Sequence, residues 1–404
     1  MSLSIFIKRF FVYFPVYNLS SEPESFVLQY YDVKLFFGRK ILREIKPFLQ
    51  EYKRFGILTG RSSAKISGAY DDVINLLREF DAEYIVYDKI SPNPWVSEAE
   101  KAGEMLWREG VEAVIAIGGG SVIDAAKVAS VIASGGGGFK DVFRGRRPRN
   151  MMPLIAINLT HGTGTEIDRY AVLTTDDTRE KHGLDIRYPT ISVDDPIYTI
   201  SLPKDHTIYT SLDAFYHAYE AATSNYRNIF VETLSREAIF IIRENLPVLL
   251  KDLSDIERRA MLLYASMIAG IAIDQSSTHL NHAIEHVLSG LEPRLPHGLG
   301  LALTGPRVVY YTHKVRPIES ARILRTLDPN IKPLEEDAEK AMRIVKEFQE
   351  SLGVTQRLED YGFSENDFKK IYSYLTERLR YLYEDSTPFQ ISEDIIRDII
   401  FSAL

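Results

Sequence analysis

Residues 113–127 read AVIAIGGGSVIDAAK, and their pattern indicates an α/β fold. The apolar run from Ala113 to Ile117 predicts a β-strand, three glycines follow it directly, and Ser121 opens a predicted helix. Glycines let a backbone approach a ligand closely, and a helix N-terminus offers free N–H groups and the positive end of a dipole. The unit therefore predicts a pyrophosphate site, although a plain turn between strand and helix would have the same pattern.

The predicted nucleotide contacts lie in the turn and in the first two turns of this helix. Ser121 with Asp124 three residues later is a capping pattern that would fix where the helix starts. The G-x-G-x-x-G fingerprint is not met, because residue 123 is isoleucine. The contacts that we predict in this unit are Gly118, Gly119, Gly120, Ser121, Asp124 and Lys127.

A second loop of similar character follows the next apolar run. Residues 160–166 read THGTGTE and come after the strand-like run from Leu154 to Asn158. The hydroxyl groups of Thr160 and Thr163 can donate hydrogen bonds to phosphate or ribose, although a simple polar loop would look the same. Open α/β sheets bind ligands at the carboxyl ends of their strands, so we expect the two loops to converge on one ligand.

The secondary structure predicted along the chain divides it into two parts. Before residue 200, short apolar runs alternate with helical stretches, as in βαβ units with a largely parallel sheet. After Pro203 the strand-like runs stop and helix-period segments take over. We therefore predict an α/β domain at 1–200 and an all-helical domain at 201–404. The predicted helices of the second domain span 212–224, 229–245, 256–273, 282–288, 335–351 and 365–383.

Composition excludes several classes of protein and of site. The 404 residues carry a net charge of −8, which argues against binding nucleic acid by neutralising phosphates. No apolar run reaches the roughly 18–20 residues of a membrane-spanning helix. Residues 10–17 are aromatic but are broken by Pro15 and lack a small-residue cleavage site, so we expect no signal peptide and a cytoplasmic protein. There are no cysteines, so a metal must be held by His, Asp or Glu.

Histidines and one aspartate in the helical part have the spacing of a metal site. Asp213 and His217 stand at i and i+4, which places them about 5–6 Å apart on one helix face. His282 and His286 repeat that spacing, and His297 follows a short turn. A carboxylate with imidazoles suits Fe²⁺ or Zn²⁺. A single histidine on a helix, taken alone, would be interpreted as a core or surface residue and not as a metal ligand. The sequence reveals no partner for the nearby His279.

These motifs together resemble the iron-containing (group III) alcohol dehydrogenases. The stretch GGGSVIDAAK at 118–127 is similar to their coenzyme signature, and GTGTE at 162–166 to their second nucleotide loop. DAFYHAYEA at 213–221 and HAIEH at 282–286 with PHG at 296–298 resemble their metal motifs. The likeness runs in the same order over residues 30–310.

The resemblance implies a fold, a ligand set and a reaction. The fold would be a Rossmann-like domain followed by a helical domain, as in the dehydroquinate synthase-like fold, with the site in the cleft between them. The activity would be hydride transfer between NAD(P) and a small alcohol or aldehyde, in a homodimer. The implied metal ligands are Asp213, His217, His282 and His297, with His286 beside the substrate and Lys181 among the coenzyme contacts.

The chain departs from the family pattern at the second loop. Where relatives read Pro-Thr-Thr-Ala, residues 158–161 read NLTH, so one hydroxyl contact with the coenzyme is lost. Ser211 replaces a usual glycine just before Asp213.

Two related enzyme classes and a non-enzymatic protein are the alternatives. Glycerol dehydrogenases use a three-ligand zinc site, so His217 at a fourth position favours the alcohol dehydrogenases. Dehydroquinate synthases need a basic cluster for carboxylate and phosphate, and none lies near the histidine motifs. A nucleotide-binding relative without activity is disfavoured because all four ligand positions are present.

The first nucleotide strand indicates which coenzyme is used. Many dinucleotide enzymes carry an acidic residue there that binds the ribose hydroxyls and repels a 2′-phosphate. Here the strand 57–59 ends in Gly60, Arg61, Ser62 and Ser63, with no carboxylate. Arg61 or Lys65 could pair with a 2′-phosphate and the serines could donate to it. We therefore predict that NADP is preferred over NAD, although a bland glycine turn would accept both.

Overall fold

The computed structural model describes residues 25–404, so the aromatic run at 10–17 lies outside the described residues. Every strand of the described chain lies before residue 200, as predicted. The strands are β1 (Phe26–Tyr30), β2 (Val33–Phe37), β3 (Arg54–Gly60), β4 (Glu83–Ile90), β5 (Ala113–Gly118), β6 (Leu154–Asn158), β7 (Tyr170–Thr174), β8 (Lys181–Asp185) and β9 (Ile191–Asp194).

Seven of these strands form one sheet in the order β1-β2-β9-β6-β5-β3-β4. β1 is antiparallel to β2, and the remaining neighbours are parallel. β5 and β6 are adjacent, and their last residues Gly118 and Asn158 are in register. The two glycine-containing loops therefore leave the same edge of the sheet side by side. β7 and β8 form a separate antiparallel hairpin.

The helices of the first half lie close to their predicted positions. Periodicity predicts helices at 71–80 and 97–109 in this half, and the structure has them at Ala69–Arg78 and Val96–Arg108, each shifted by one or two residues. The helices are α1 (Lys46–Leu49), α2 (Ser63–Ile66), α3 (Ala69–Arg78), α4 (Val96–Arg108), α5 (Gly120–Val131) and α6 (Phe139–Phe143).

Two local predictions in this half are wrong. The residue that caps α5 is Gly119, which has no side chain to cap with, and Ser121 already lies inside the helix. The run of four glycines after Ser134 predicts a flexible loop at 134–138. Instead, Ile132–Gly136 continues α5 as a π-helical turn, and Gly135 and Gly137 take the positive φ values that end it.

The second half is helical throughout its described length, as predicted. Sequence periodicity did not identify α11, α12 or α15, and the stretch predicted as one helix at 365–383 is broken after α14. The helices are α7 (Lys204–Thr223), α8 (Ile229–Leu249), α9 (Ile256–Asp274), α10 (Leu280–Leu291), α11 (His297–Val315), α12 (Pro317–Leu324), α13 (Ala338–Ser351), α14 (Phe368–Ser373) and α15 (Glu393–Ala403).

The two halves share part of one hydrophobic core. Val33, Leu35 and Phe37 of β2 are fully buried in the same cluster as the apolar faces of helices α7 to α11. Strand β2 of the first half thus packs into the core of the helical half. The division of the chain into two domains at residue 200 stays a prediction. None of the helices in residues 25–404 has both the length and the apolarity needed to cross a membrane.

Candidate active site

A cavity of about 340 Å³ lies where the carboxyl ends of β5 and β6 meet the helical half. It is lined on one side by four predicted coenzyme contacts: Gly120, Ser121, Asp124 and Thr163. Lys181, also predicted to contact the coenzyme, lines the cavity next to Glu285 and His297. On the other side it is lined by predicted metal-site residues: His217, His282, His286 and His297. The structure therefore brings the two predicted sites into one continuous space, as hydride transfer between two bound groups requires.

The two glycine-containing loops pack directly against each other. A Cβ on Gly119 would lie 2.6 Å from Thr160 Cγ2, and a Cβ on Gly120 would lie 2.5 Å from Thr163 Cγ2. Both separations are far below van der Waals contact, so the second loop requires glycine at both positions. This close packing leaves the N-terminal N–H groups of α5 uncovered by side chains, beside the threonine hydroxyls.

Lys127 lies beneath these loops and does not reach the cavity. It is fully buried, and its Nζ lies 2.6 Å from Thr165 Oγ1, 2.9 Å from Asp168 Oδ1 and 2.5 Å from Tyr170 O. These acceptors use all three N–H donors, so none is left for a phosphate. The structure corrects the expectation that Lys127 contacts the coenzyme: its charge anchors the loop that carries Thr163.

Asp124 lines the cavity, but its carboxylate also belongs to this anchor. Oδ1 accepts a hydrogen bond from Thr165 Oγ1 at 2.6 Å, and Oδ2 accepts one from the backbone N–H of Val172 at 2.9 Å. The residue therefore ties α5 to the second loop and to β7, and it does not act as the helix cap that its spacing suggested.

One carboxylate oxygen is the centre of the histidine cluster. Asp213 Oδ1 lies 3.6 Å from His217 Nε2, 3.6 Å from His282 Nε2 and 3.4 Å from His297 Nε2. Ligand atoms bound tetrahedrally at about 2.0–2.2 Å from an ion are about 3.3–3.6 Å apart. Asp213 Oδ1 and His282 Nε2 are buried and have no hydrogen-bond partner. The three distances to Asp213 match this range. Asp213, His217 and His282 have donor atoms within 4.8 Å of one another and could hold a divalent ion, with His297 as a further neighbour of Asp213.

Each imidazole of this cluster is oriented by a hydrogen bond at its other nitrogen. Nδ1 of His282 bonds to Glu220 at 2.7 Å, Nδ1 of His297 bonds to Glu285, and Nδ1 of His217 lies 3.3 Å from Gly162 O. An acceptor at Nδ1 fixes the tautomer in which Nε2 carries the lone pair that a metal needs.

Sequence reasoning missed the two glutamates that orient the imidazoles. Glu220 lies three residues after His217 on the same buried helix face, and Glu285 lies between His282 and His286. Both glutamates lie one helical turn from a predicted ligand, and this spacing could have identified them from the sequence. Glu220 also accepts a 2.8 Å hydrogen bond from the backbone N–H of His279, which gives that residue the partner the sequence did not reveal.

The surroundings of Asp213 and Glu220 favour their ionised forms. Burial works against ionisation of Asp213, but His217 and His297 hold its pKa well below the ordinary value. Burial also opposes ionisation of Glu220, and the neighbouring His279 and His282 lower its pKa to about 2. Both residues are therefore carboxylates at neutral pH, in the state that binds a cation or a ligand imidazole.

His286 and Lys181 lie on the cavity wall beside this cluster. The His286 ring lies 5.8 Å from that of His297, and its buried Nδ1 has no partner. Burial lowers the pKa of His286 well below its ordinary value, and the Lys181 ammonium adds to the effect. Lys181 Nζ lies 3.0 Å from Ser289 Oγ and 3.3 Å from Glu285 Oε2. Glu285 is thus already paired, which favours Asp213 as the carboxylate ligand.

The residues predicted to select the coenzyme lie outside the cavity, at the end of β3. Arg61, Ser62 and Ser63 are exposed, and no carboxylate occupies this turn. A Cβ on Gly60 would meet its nearest atom, Ile90 O, at 3.4 Å, so the position has room for a side chain.

Comparison with known proteins identifies the family. A family model described as iron-containing alcohol dehydrogenase matches residues 33–196, and one described as the C-terminal part of the same family matches residues 207–404. The chain is 37% identical to the long-chain primary alcohol dehydrogenase AdhA of Thermoanaerobacter ethanolicus, covering 82% of this chain and 86% of that protein. It is 31% identical to a 1,3-propanediol dehydrogenase of Klebsiella pneumoniae, over 74% of this chain and 79% of that protein.

A solved structure has the same fold. The NADH-dependent butanol dehydrogenase A of Thermotoga maritima superposes with a TM-score of 0.85 at 27% identity, covering 95% of this chain and 99% of that one. The two family models together match most of this chain. The protein therefore belongs to the iron-containing alcohol dehydrogenase family, as its sequence motifs indicated.

Proposed function

We propose that this protein is a metal-dependent alcohol dehydrogenase that interconverts a small primary alcohol and its aldehyde with a nicotinamide coenzyme. One observation carries the proposal: a single cavity joins the N-terminus of α5 to the four-donor cluster around Asp213. The first feature is suited to a pyrophosphate and the second to a divalent ion, so a coenzyme and a substrate bound there would be adjacent.

Asp213, His217, His282 and His297 would hold the ion, and the donor set suits both Fe²⁺ and Zn²⁺. A bound ion supplies Lewis-acid chemistry toward the substrate oxygen. Glu220 and Glu285 orient two of the imidazoles, and Gly120, Ser121 and Thr163 would hold the coenzyme phosphates. The chain's own contribution is to fix the distance between the ion and the coenzyme and to bury the donor side chains.

His286 is the candidate acceptor of the alcohol proton. Its depressed pKa keeps the imidazole neutral at neutral pH, so it can take up a proton. Its place on the cavity wall next to His297 puts it beside the proposed substrate position. A residue that only orients the site would occupy the same place, so the two roles are separated by the kinetic prediction below.

The two related enzyme classes fit the structure less well. A three-ligand zinc site would leave His217 unused, yet its Nε2 lies as close to Asp213 as that of His282. A dehydroquinate synthase would need several cations for an anionic substrate. Of the residues that line the cavity in the described chain, Lys181 is the only lysine or arginine, and it is paired with Glu285. The homodimer that the resemblance implies and the cytoplasmic location expected from the sequence both stay predictions.

The function is tested by loading the purified protein with Fe²⁺ or Zn²⁺ and adding a primary alcohol with NAD or NADP. We expect metal-dependent growth of the near-ultraviolet absorbance of the reduced coenzyme, and its decay when an aldehyde replaces the alcohol. A synthase or a binding protein would give no net change in reduced coenzyme, and that result would refute the proposal.

We predict that Asp213→Asn or His282→Ala removes the metal and abolishes turnover. Each substitution removes one ligand of four, so bound metal measured by mass spectrometry should fall at least about tenfold. Coenzyme binding, followed by fluorescence titration, should persist because the α5 loop is not altered. Asp205→Asn and His206→Ala, exposed positions on the same helix, are matched controls that should keep full metal. Full occupancy in Asp213→Asn would show that the ligand assignment is wrong.

We predict that His286→Ala retains the metal but turns over about a hundredfold more slowly, as expected for loss of a general base. Because the pKa of His286 is depressed, the parent rate should fall only when acid protonates the imidazole, and the variant should lack this acidic limb. The measurement is kcat against pH, with His206→Ala as control. If His286→Ala had the same kcat and the same pH profile as the parent, His286 would have no role in proton transfer.

We also propose that NADP is the preferred coenzyme, because the open position at Gly60 carries no acidic side chain. Gly60→Asp should lower the ratio of kcat/KM with NADP to that with NAD by at least about tenfold, the effect of one charge-assisted contact. Ile66→Asp adds the same charge at a nearby exposed position and should change the ratio little. A parent that prefers NAD would contradict the proposal.

A further inference from the structure

Residues 374–382, here called the strap, run along one side of the cavity. They form a π-helical turn at Tyr374–Arg378 and a 3₁₀ turn at Arg380–Leu382, where the sequence predicted an uninterrupted helix. The strap joins α14 to the C-terminal part of the chain, and its last two residues, Tyr381 and Leu382, line the cavity together with His286. It therefore forms part of the wall at the proposed substrate position.

The strap is attached to the β7–β8 hairpin by contacts that follow the same order along both segments. The pairs are Tyr374 with Thr178, Arg378 with Glu180, Tyr381 with His182, and Leu382 with Gly183. The partners run from the β7–β8 turn into β8, so the strap follows the hairpin at the point where the helical pattern is broken.

His182 is the central residue of this attachment. Its Nδ1 and the Tyr381 hydroxyl form a 2.9 Å hydrogen bond, and its Nε2 lies 3.1 Å from Glu180 Oε2. The rings of His182 and Tyr381 are nearly parallel, and Phe143 packs edge-on against His182. The Tyr381 hydroxyl is thus held by the hairpin, away from any substrate.

The gap between strap and hairpin is narrow beside His286. A methyl group on Gly183 would lie 3.3 Å from Leu382 Cδ2 and 3.9 Å from His286 Cε1. Gly183 lies in a strand and does not have positive φ, so its backbone conformation does not require glycine. The missing side chain instead leaves room between the strap and the hairpin. A group that enters this gap would share the space with Leu382.

We propose that the strap sets substrate size: Leu382, Tyr381 and Gly183 determine which alcohols fit, and His182 is a positioning residue that holds Tyr381. This inference rests on the proposed function and deepens it. Leu382 is an apolar residue of the cavity lining beside Gly183, and the Tyr381 hydroxyl is already bonded to His182. The narrow space beside Gly183 therefore suits an unbranched alkyl chain better than a branched or aromatic one, because added bulk would compete with Leu382 for it.

The first test changes the width of the gap by substituting Leu382 on the strap and Gly183 on the hairpin. With metal-loaded enzyme, kcat/KM is measured for straight-chain alcohols from ethanol to octanol and for isoamyl and benzyl alcohols. Leu382→Ala should raise the values for the two bulky alcohols relative to butanol about tenfold, and Gly183→Ala should lower them, since one methylene is worth about tenfold or more. The double variant Gly183→Ala/Leu382→Ala should return toward the parent profile. If Leu382→Ala does not fold, Leu382→Val and Gly183→Ala carry the same test.

The second test separates positioning from a merely structural role. Tyr381→Phe removes only the hydroxyl that bonds His182, and His182→Ala removes its partner. Both should raise KM for alcohols several-fold while leaving kcat and the KM for coenzyme unchanged. Tyr226→Phe, at an exposed tyrosine of the helical half, is the matched control and should change neither constant. Equal changes in all constants, accompanied by a lower Tm, would overturn the role given to His182.

The outcomes distinguish this inference from the proposed function. If the parent oxidises alcohols and neither Leu382→Ala nor Gly183→Ala changes the size profile, the strap does not set substrate size, and the dehydrogenase function stands. If the metal-loaded parent oxidises no alcohol with either coenzyme, the proposed function and this inference both fall.

Discussion

A buried oxygen atom, Oδ1 of Asp213, lies within 3.6 Å of three imidazole nitrogens, and much of the helical half serves to hold that arrangement. Burying a carboxylate is costly unless positive charge or donors surround it. Helices α7, α10 and α11 each bring one of the imidazoles that meet this requirement. Their close packing and the paired glutamates Glu220 and Glu285 follow from the need to keep three rings aimed at one point.

The phosphate side of the cavity depends on a second buried charge. Lys127 has no exposure to solvent, and its three donors are used by the loop that carries Thr165 and Asp168. This internal pairing holds the second loop against Gly119 and Gly120, so the helix N-terminus stays open toward the cavity. Because β2 packs into the helical core, the phosphate loops and the histidine cluster are held by one continuous framework.

The wall beside His286 is built differently. It is a partly exposed segment fixed by hydrogen bonds and a salt bridge to a two-stranded hairpin. Such contacts at a surface contribute less to stability than buried packing does. A substitution in the strap can therefore change the shape of the cavity at little cost to the fold, whereas a substitution at Asp213 or Lys127 leaves a buried partner unpaired.

Features that arise between neighbours along the chain could be predicted from the amino-acid sequence. The strand, glycine turn and helix at 113–131, the i and i+4 pairs at Asp213 and His282, and the change to helices after residue 200 all follow from local periodicity and spacing. The burial of Lys127, the roles of Glu220 and Glu285, and the broken helix of the strap became evident only in the folded structure. Each of these depends on partners distant in the chain, such as Asp168 for Lys127 and Glu180 for Arg378. The environment of a side chain depends on the residues that folding places next to it, and these contacts between distant residues cannot be inferred from local sequence spacing.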